Sequence, residues 1–267
     1  IPKRSKAYEF THSILNIFLR QLKLFNIYYH EWIRLFDTPE LENIQSIQNQ
    51  INLMTNKPII SVIMPVFNPP LELLDQAINS VIDQVYPFWE LCLADDASTD
   101  TRIPSLIQKH IQTDNRIKAV LRKENGHISA ASNSALELAT NEFMALLDHD
   151  DILHPLALYY VANEINKHPD GVIIYSDEDK ITRNGKRVDP YFKPEFDYEL
   201  LLSQNMISHL GVYRTQIVRE VGGFRIGLEG SQDYDLVLRI IDHFGSNQIY
   251  HIPRPLYHWR TIQESAA

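Results

Sequence analysis

Three acidic clusters, each following a short run of β-forming residues, are the groups in this 267-residue sequence best suited to chemistry. Asp95-Asp96 follows Trp89–Ala94, Asp148-His149-Asp150-Asp151 follows Phe143–Leu147, and Asp177-Glu178-Asp179 follows the run beginning at Val172. Carboxylates crowded in this way, with no Lys or Arg in the same segments, repel one another unless a cation sits among them. A divalent-metal site is the economical reading. Asp-x-Asp spacing alone selects nothing, because it occurs at Asp148/Asp150, Asp177/Asp179 and Asp233/Asp235. Position favours the first pair, whose carboxylates emerge directly after an apolar strand-like run; Asp150 or Asp151 could instead cap the helix beginning near Pro155.

Positioning such groups takes a rigid frame. From Ile59 onward, β-rich runs (Ile59–Val66, Trp89–Ala94, Ile117–Leu121, Phe143–Leu147, Val172–Tyr175) alternate with helical patterns (Leu71–Val85, Ile103–Ile111, Ile128–Ala139, Pro155–Asn166). The alternation predicts the α/β class, a mostly parallel sheet with helices on both faces. Ligands of such sheets bind beyond the carboxyl ends of the strands, where the acidic clusters and the turn Pro65-Val66-Phe67-Asn68 fall. Upstream, Leu15, Phe18, Leu22, Phe25, Tyr29, Trp32 and Phe36 recur at steps of three and four, one face of a helix that Asp37-Thr38-Pro39 is expected to end. A weaker helical pattern through Leu41, Ile44, Ile47 and Ile51 stops at Asn56-Lys57-Pro58. Residues 1–56 therefore read as a helical extension and residues 57–267 as one domain.

Composition narrows the partners. The net charge of −9 is uneven: residues 1–36 carry six Lys/Arg against two Glu, leaving 19 of 25 basic residues against 32 of 34 acidic ones for the body. An acidic body argues against nucleic-acid binding, which needs a basic stripe. No run of 18 uninterrupted apolar residues exists, and the single Cys92 excludes an intrachain disulfide, so a cytoplasmic, reducing setting is the expectation. The start, Ile-Pro-Lys-Arg, has neither an initiator Met nor a signal-peptide pattern, which fits a piece of a longer chain.

The order of several motifs resembles a known family. Ile60-Ser61-Val62-Ile63-Met64-Pro65-Val66-Phe67-Asn68, Ala94-Asp95-Asp96-Ala97-Ser98-Thr99-Asp100, Asn125-Gly126-His127-Ile128-Ser129-Ala130-Ala131-Ser132-Asn133, Leu147-Asp148-His149-Asp150-Asp151, Glu229-Gly230-Ser231-Gln232-Asp233-Tyr234-Asp235-Leu236 and Tyr257-His258-Trp259-Arg260 follow one another over roughly residues 58–260. In this they resemble the family-two nucleotide-sugar glycosyltransferases of GT-A fold, particularly bacterial enzymes of O-antigen and related surface-polysaccharide synthesis.

The resemblance implies a site. Pro65, Val66, Phe67 and Asn68 would cradle base and ribose, and Asp96 would accept from N3–H of a pyrimidine, which suits UDP or dTDP and disfavours CDP. Asp95 and Asp96 could otherwise shape a turn through Ser98-Thr99-Asp100. Asn125, Gly126, His127 and Asn133 sit at or near a helix N-terminus, where backbone N–H groups favour the diphosphate. Asp148, Asp150 and His258 would hold Mn2+ (or Mg2+), with Asp148 also open to ribose, and His149 pointing away. Asp233 would be the base of an inverting transfer to a glycan or lipid-linked acceptor. Gln232 stands where many relatives have Glu. Asp177–Asp179 could border the donor or acceptor site or form a solvated loop, and Lys193 and His209 lie in the stretch that usually builds acceptor pockets.

Two alternatives stand beside this. The extension's aromatic stripe could pack on the domain or on a second subunit, or its basic, aromatic face could lie peripherally on the inner face of an anionic membrane. The domain itself could be a non-catalytic nucleotide-sugar-binding scaffold. A sugar nucleotidyltransferase is disfavoured because Pro65-Val66-Phe67-Asn68-Pro69-Pro70 holds no glycine, and the missing Gly-x-Gly-x-x-Gly disfavours a dinucleotide dehydrogenase.

Overall fold

The computed structural model describes residues 26–261. Its centre is β1 (Ile60–Val66), every residue of which is buried. Such a run of β-branched and apolar residues with no polar alternation belongs to a strand covered on both faces. Odd and even positions part to the two sides. Val62 and Met64 join Leu91 and Leu93 of β2 (Trp89–Asp95) in one core, while Ile63 joins Cys92 and Ala94 in the other. Helices α3 (Leu71–Ile82), α4 (Arg102–Thr113) and α6 (Ala157–Lys167) cover the first core; α5 (His127–Leu138) and α9 (Gln232–Phe244) cover the second.

The sheet runs β3-β2-β1-β4-β8-β6-β9-β5, with β3 Ile117–Leu121, β4 Phe143–Leu146, β5 Ile152–Leu153, β6 Ile173–Ile181, β8 Gly211–Arg214 and β9 Ile249–Arg260; β7 (Arg187–Tyr191) pairs with β6. From β3 to β4 all neighbours are parallel. β8 is antiparallel to both β4 and β6, and β9 is parallel to β6. After β1 the chain steps outward to β2 and β3, then returns to the other side of β1 as β4, so strand order reverses between β1 and β4. That reversal opens a crevice at the strands' carboxyl ends. Pro65 fits the same place: β4 pairs with β1 only as far as Ile63, so the N–H that Pro65 lacks has no strand partner on that side.

Two elements differ from their sequence reading. Asp37-Thr38-Pro39 does not end the helix. Residues 26–32 are helical, Ile33–Asp37 forms a π turn, and α1 (Thr38–Glu42) and α2 (Ile44–Leu53) follow, with Pro39 in the first turn of α1, where a missing N–H is harmless. In addition, β6 continues past Tyr175 to Ile181, so Asp177, Glu178 and Asp179 are strand residues rather than a strand-end loop.

Within the described residues the extension packs on the domain. Tyr29 is buried and meets Phe192 edge-on at 6.0 Å, Trp32 meets the same ring at 5.4 Å, and Ile47 and Ile51 enter the first core. Phe36 is 54% exposed, while Leu15, Phe18, Leu22 and Phe25 lie outside the described residues. Among the described residues no helix is long and apolar enough to cross a membrane.

Candidate active site

A cleft of about 420 Å³ lies beyond the ends of β1, β2 and β4. Pro65, Val66, Phe67, Asp96, Asn125, His127, Asp148 and Asp150 line it, with Ile128, Ala131, His149 and Glu229. Three loops converge there because three parallel strands end together. The first turns of α5 supply His127, Ile128 and Ala131, so the positive end of that helix faces the space. His149 does not point away: its Nδ1 lies 3.1 Å from the Pro65 carbonyl oxygen, and its ring forms part of the wall. His149 and Glu229 both lie inside motifs of the sequence, but nothing local gave either of them a place in the wall.

Asp96 is buried and heavily engaged. Its Oδ1 accepts from Arg122 Nε at 2.7 Å, and the Gly126 N–H donates to both carboxylate oxygens at 3.0 and 3.1 Å. Gly126 is thus a brace for Asp96 rather than part of the wall. A larger residue there would have to displace its neighbours, because a Cβ would come within 2.5 Å of Arg122 Nη2 and 2.8 Å of the Ala130 Cβ. Asp95 is buried too, with its Oδ1 unpartnered.

Asn68 and Asn133 do not line the cleft. Asn68 Oδ1 accepts from the Thr99 N–H at 2.8 Å and the Asp100 N–H at 3.4 Å, and the Asn68 N–H donates to Ser98 Oγ at 3.0 Å. Its amide oxygen is engaged in shaping the loop after β2. Asn133 faces away from the N-terminal end of α5: Nδ2 donates to the Phe224 carbonyl at 2.7 Å and Oδ1 accepts from the Phe224 N–H at 2.8 Å. Two bonds to the backbone of one residue make it a staple between α5 and the segment after α8 (Thr215–Glu220).

The loop Asp148–Asp151 is fixed from behind by β9. Tyr257 Oη accepts from the Asp148 N–H at 3.2 Å and donates to Asp151 Oδ2 at 2.8 Å; the Arg260 N–H donates to Asp151 Oδ1 at 2.6 Å, and Arg260 Nε donates to the Asp150 carbonyl at 2.8 Å. Asp151 is therefore a buried anchor, not a helix cap. Burial, reinforced by the charge of Asp148, pushes its carboxyl up to about 8. The Asp148 and Asp150 side chains are left facing the cleft.

His258 is placed elsewhere. Successive residues of a strand point to opposite faces, and in β9 it is Tyr257 and Trp259 that flank His209 near the cleft, with ring centroids 4.5 and 4.8 Å from its imidazole. His258 turns the other way, opposite Asp179 in the β6 register, and its Nδ1 lies 2.5 Å from Asp179 Oδ1. Burial drives the imidazole towards its neutral form, with Asp179 opposing. The Asp179 charge is also met by Arg187 Nε at 2.6 Å. His258 faces a separate cavity of about 460 Å³ shared with His154 and Arg187. Among the described residues no three His, Cys, Asp or Glu side chains converge as a cation cage. Asp148 and Asp150 alone suit a hard cation in oxygen type, and a diphosphate would have to supply further ligands.

Asp233 lies in the first turn of α9 and lines a cavity of about 40 Å³ together with Asp148, His209, Phe224 and Gln232. Pro65, Ile128 and Asp148 border both this cavity and the cleft. Asn205 Nδ2 donates to Asp233 Oδ2 at 2.8 Å. Lys193 is buried and bonded to Glu178, and His209 Nε2 stands 3.5 Å from Asp148 Oδ2.

Comparison with known proteins agrees with this architecture. Residues 61–222 match the family model described as glycosyl transferase family 2. The chain is 50% identical over 217 residues (81% of its length, 24% of the relative's) to the uncharacterized protein y4gI of Sinorhizobium fredii. It is 32% identical to the O-antigen biosynthesis protein RfbC of Myxococcus xanthus, covering 85% of this chain and 18% of that one. It is 27% identical to chondroitin synthase of Escherichia coli, covering 68% and 26%. The chain thus spans about a quarter, or less, of the length of these relatives. The crystal structure of S. aureus TarS 1-349 in complex with UDP-GlcNAc shares the fold, with a TM-score of 0.63 at 23% identity, covering 78% of this chain and 61% of that one. By the length of the family match and by its similarity to RfbC, the chain belongs to glycosyl transferase family 2.

Proposed function

We propose that this chain transfers a sugar from a UDP- or dTDP-sugar to a glycan or lipid-linked acceptor in surface-polysaccharide synthesis, with inversion and with Mn2+ or Mg2+ as cofactor. The observation that carries the reading is the adjacency of two spaces: a cleft lined by Asp96, Asp148 and Asp150 at the strand-order reversal, and a small cavity, bordered by the same Asp148, into which Asp233 projects. RfbC is named for O-antigen biosynthesis and chondroitin synthase for making chondroitin, and TarS has been crystallised with UDP-GlcNAc and with UDP.

In this reading the base stacks near Pro65–Phe67, and Asp96, oriented by Arg122 and the Gly126 N–H, accepts from its N3–H. The diphosphate lies against the N-terminus of α5. A divalent cation bound by Asp148, Asp150 and the diphosphate would neutralise charge developing on the leaving group. Asp233 removes the proton of the acceptor hydroxyl as its oxygen bonds to the anomeric carbon, while the bond from that carbon to the diphosphate breaks. Attack opposite the leaving group inverts the centre. The setting proposed is cytoplasmic, with the extension free to touch the inner face of the membrane or a second copy through Tyr28, Leu35 and Phe36, which are exposed.

Calorimetric titration of UDP, dTDP, GDP and CDP, with Mn2+ and then with EDTA, tests the reading. Binding of UDP or dTDP that EDTA removes is the expected result. Silence with all four would overturn the reading, whereas nucleotide binding without turnover of any sugar donor would move the non-catalytic nucleotide-sugar-binding scaffold to the front.

A further inference from the structure

The Lys193 side chain is wholly buried, and its three N–H donors are all spent. They go to Glu178 Oε2 at 2.9 Å, the Ile207 carbonyl at 2.9 Å and the His209 carbonyl at 2.7 Å. Glu178 Oε2 also accepts the His209 N–H at 3.3 Å, so the ion pair grips His209 by both sides of its backbone. The Lys193 N–H is tied in turn to Asp177 Oδ1 at 2.8 Å. An apolar residue of similar volume often serves stability as well as a buried ion pair does, so this arrangement is better explained by what it holds.

What it holds has two functional ends. At one, Asn205 accepts the Ser208 N–H at 3.2 Å and donates to Asp233 Oδ2 at 2.8 Å. At the other, the His209 ring stacks on Tyr257 at 4.5 Å and 16°, and its Nε2 stands 3.5 Å from Asp148 Oδ2. Asp148, His209 and Asp233 line one small cavity. The donor-side carboxylate and the proposed base are therefore each met by a side chain of residues 205–209.

We propose that Lys193 is a positioning residue, and that the segment Asn205–His209 it anchors sets the spacing between Asp148 and Asp233, so that leaving group and acceptor hydroxyl are engaged along one line. The inference rests on the function proposed above. Its two ends are separable. Asn205→Ala should slow UDP release from whichever UDP-sugar the unsubstituted chain turns over, by about tenfold, while the Kd for UDP with Mn2+ stays within about twofold. His209→Phe keeps the stack on Tyr257 but removes Nε2, and should chiefly weaken Mn2+-dependent UDP binding. Lys193→Met should reproduce both defects, with a rate loss approaching 100-fold for a displacement of about 1 Å.

Should Lys193→Met leave Glu178 unpaired and the chain unfolded, Lys193→Met with Glu178→Gln removes the stranded charge and permits the same two measurements. A folded Lys193 variant with wild-type rate and wild-type UDP affinity overturns the proposal, whatever its melting temperature. Failure of the underlying reading has a different signature, the absence of both UDP and dTDP binding by the unsubstituted chain.

Discussion

Asp233 and Asp148 line the same cavity but stand on different elements, so the two halves of the proposed reaction can be removed one at a time. Asp233→Asn keeps the size and the Asn205 contact but takes away the proton acceptor; transfer should fall by at least about 100-fold, within the range for general bases, while UDP affinity is unchanged. Retained turnover would refute the assignment. Asn133→Ala makes the opposite claim. It removes two hydrogen bonds to Phe224, so the melting midpoint should drop, by about 1–3 kcal/mol of stability, with UDP affinity intact. Weaker UDP binding without a stability change would return Asn133 to the nucleotide site. Asp151 gives a pH signature. Its carboxyl, raised to about 8 by burial, binds a proton more tightly folded than unfolded, where the value is near 3.9. The stability it contributes is therefore present below about pH 4 and is lost as pH rises through about 8. Thermal melts in EDTA should show that decline, and Asp151→Asn should flatten it.

At the scale of elements, the extension is tied to the domain by charge as well as by rings. Arg187 of β7 bonds to Asp37 and, through Nε, to Asp179, while its Nη2 donates to Tyr29 Oη at 2.8 Å. His154 Nε2 lies 3.2 Å from Asp37 Oδ1, an ion-pair distance rather than an aligned hydrogen bond. Burial would raise the Asp37 carboxyl, but His154 and Arg187 outweigh it and hold the group well below the usual range. Removing one partner strands the other, so Asp37→Ala should cost about 3–5 kcal/mol in urea unfolding. A cost below about 1 kcal/mol would mean that the network contributes little. None of these contacts could be read beforehand. Asp37 looked like a helix stop, because Asp-Thr-Pro is a common one, and nothing local announced an arginine 150 residues away. The same blindness misplaced His258: the motif around it was plain, but the Asp179 that captures it is set by the β6–β9 register, which only the folded sheet defines. What local sequence did carry was the α/β alternation and the strand-end position of Asp96, Asp148 and Asp150, because buried parallel strands are written as continuous apolar runs.

For the molecule as a whole, no three His, Cys, Asp or Glu side chains converge as a cation cage among the described residues, so the proposed sharing of a cation between Asp148, Asp150 and a diphosphate would make cation and nucleotide binding interdependent. Mn2+ alone should bind weakly and UDP alone weakly, each improving the other by the same factor, as linkage requires. Tight Mn2+ binding without nucleotide would point to a protein-only cage. The exposed Tyr28, Leu35 and Phe36 invite a comparison of the intact chain with one lacking residues 1–56 in flotation on anionic vesicles; no difference removes the membrane role.

Cys92 lies fully buried in strand β2, and burial pushes its thiol up to about 12. As the sole cysteine in the sequence, it leaves the native surface silent to maleimide reagents. A cysteine introduced at an outward position such as Leu53 or Ile226 could thus carry a single fluorophore, and movement of the loop before α9 during turnover could be watched without first stripping native thiols.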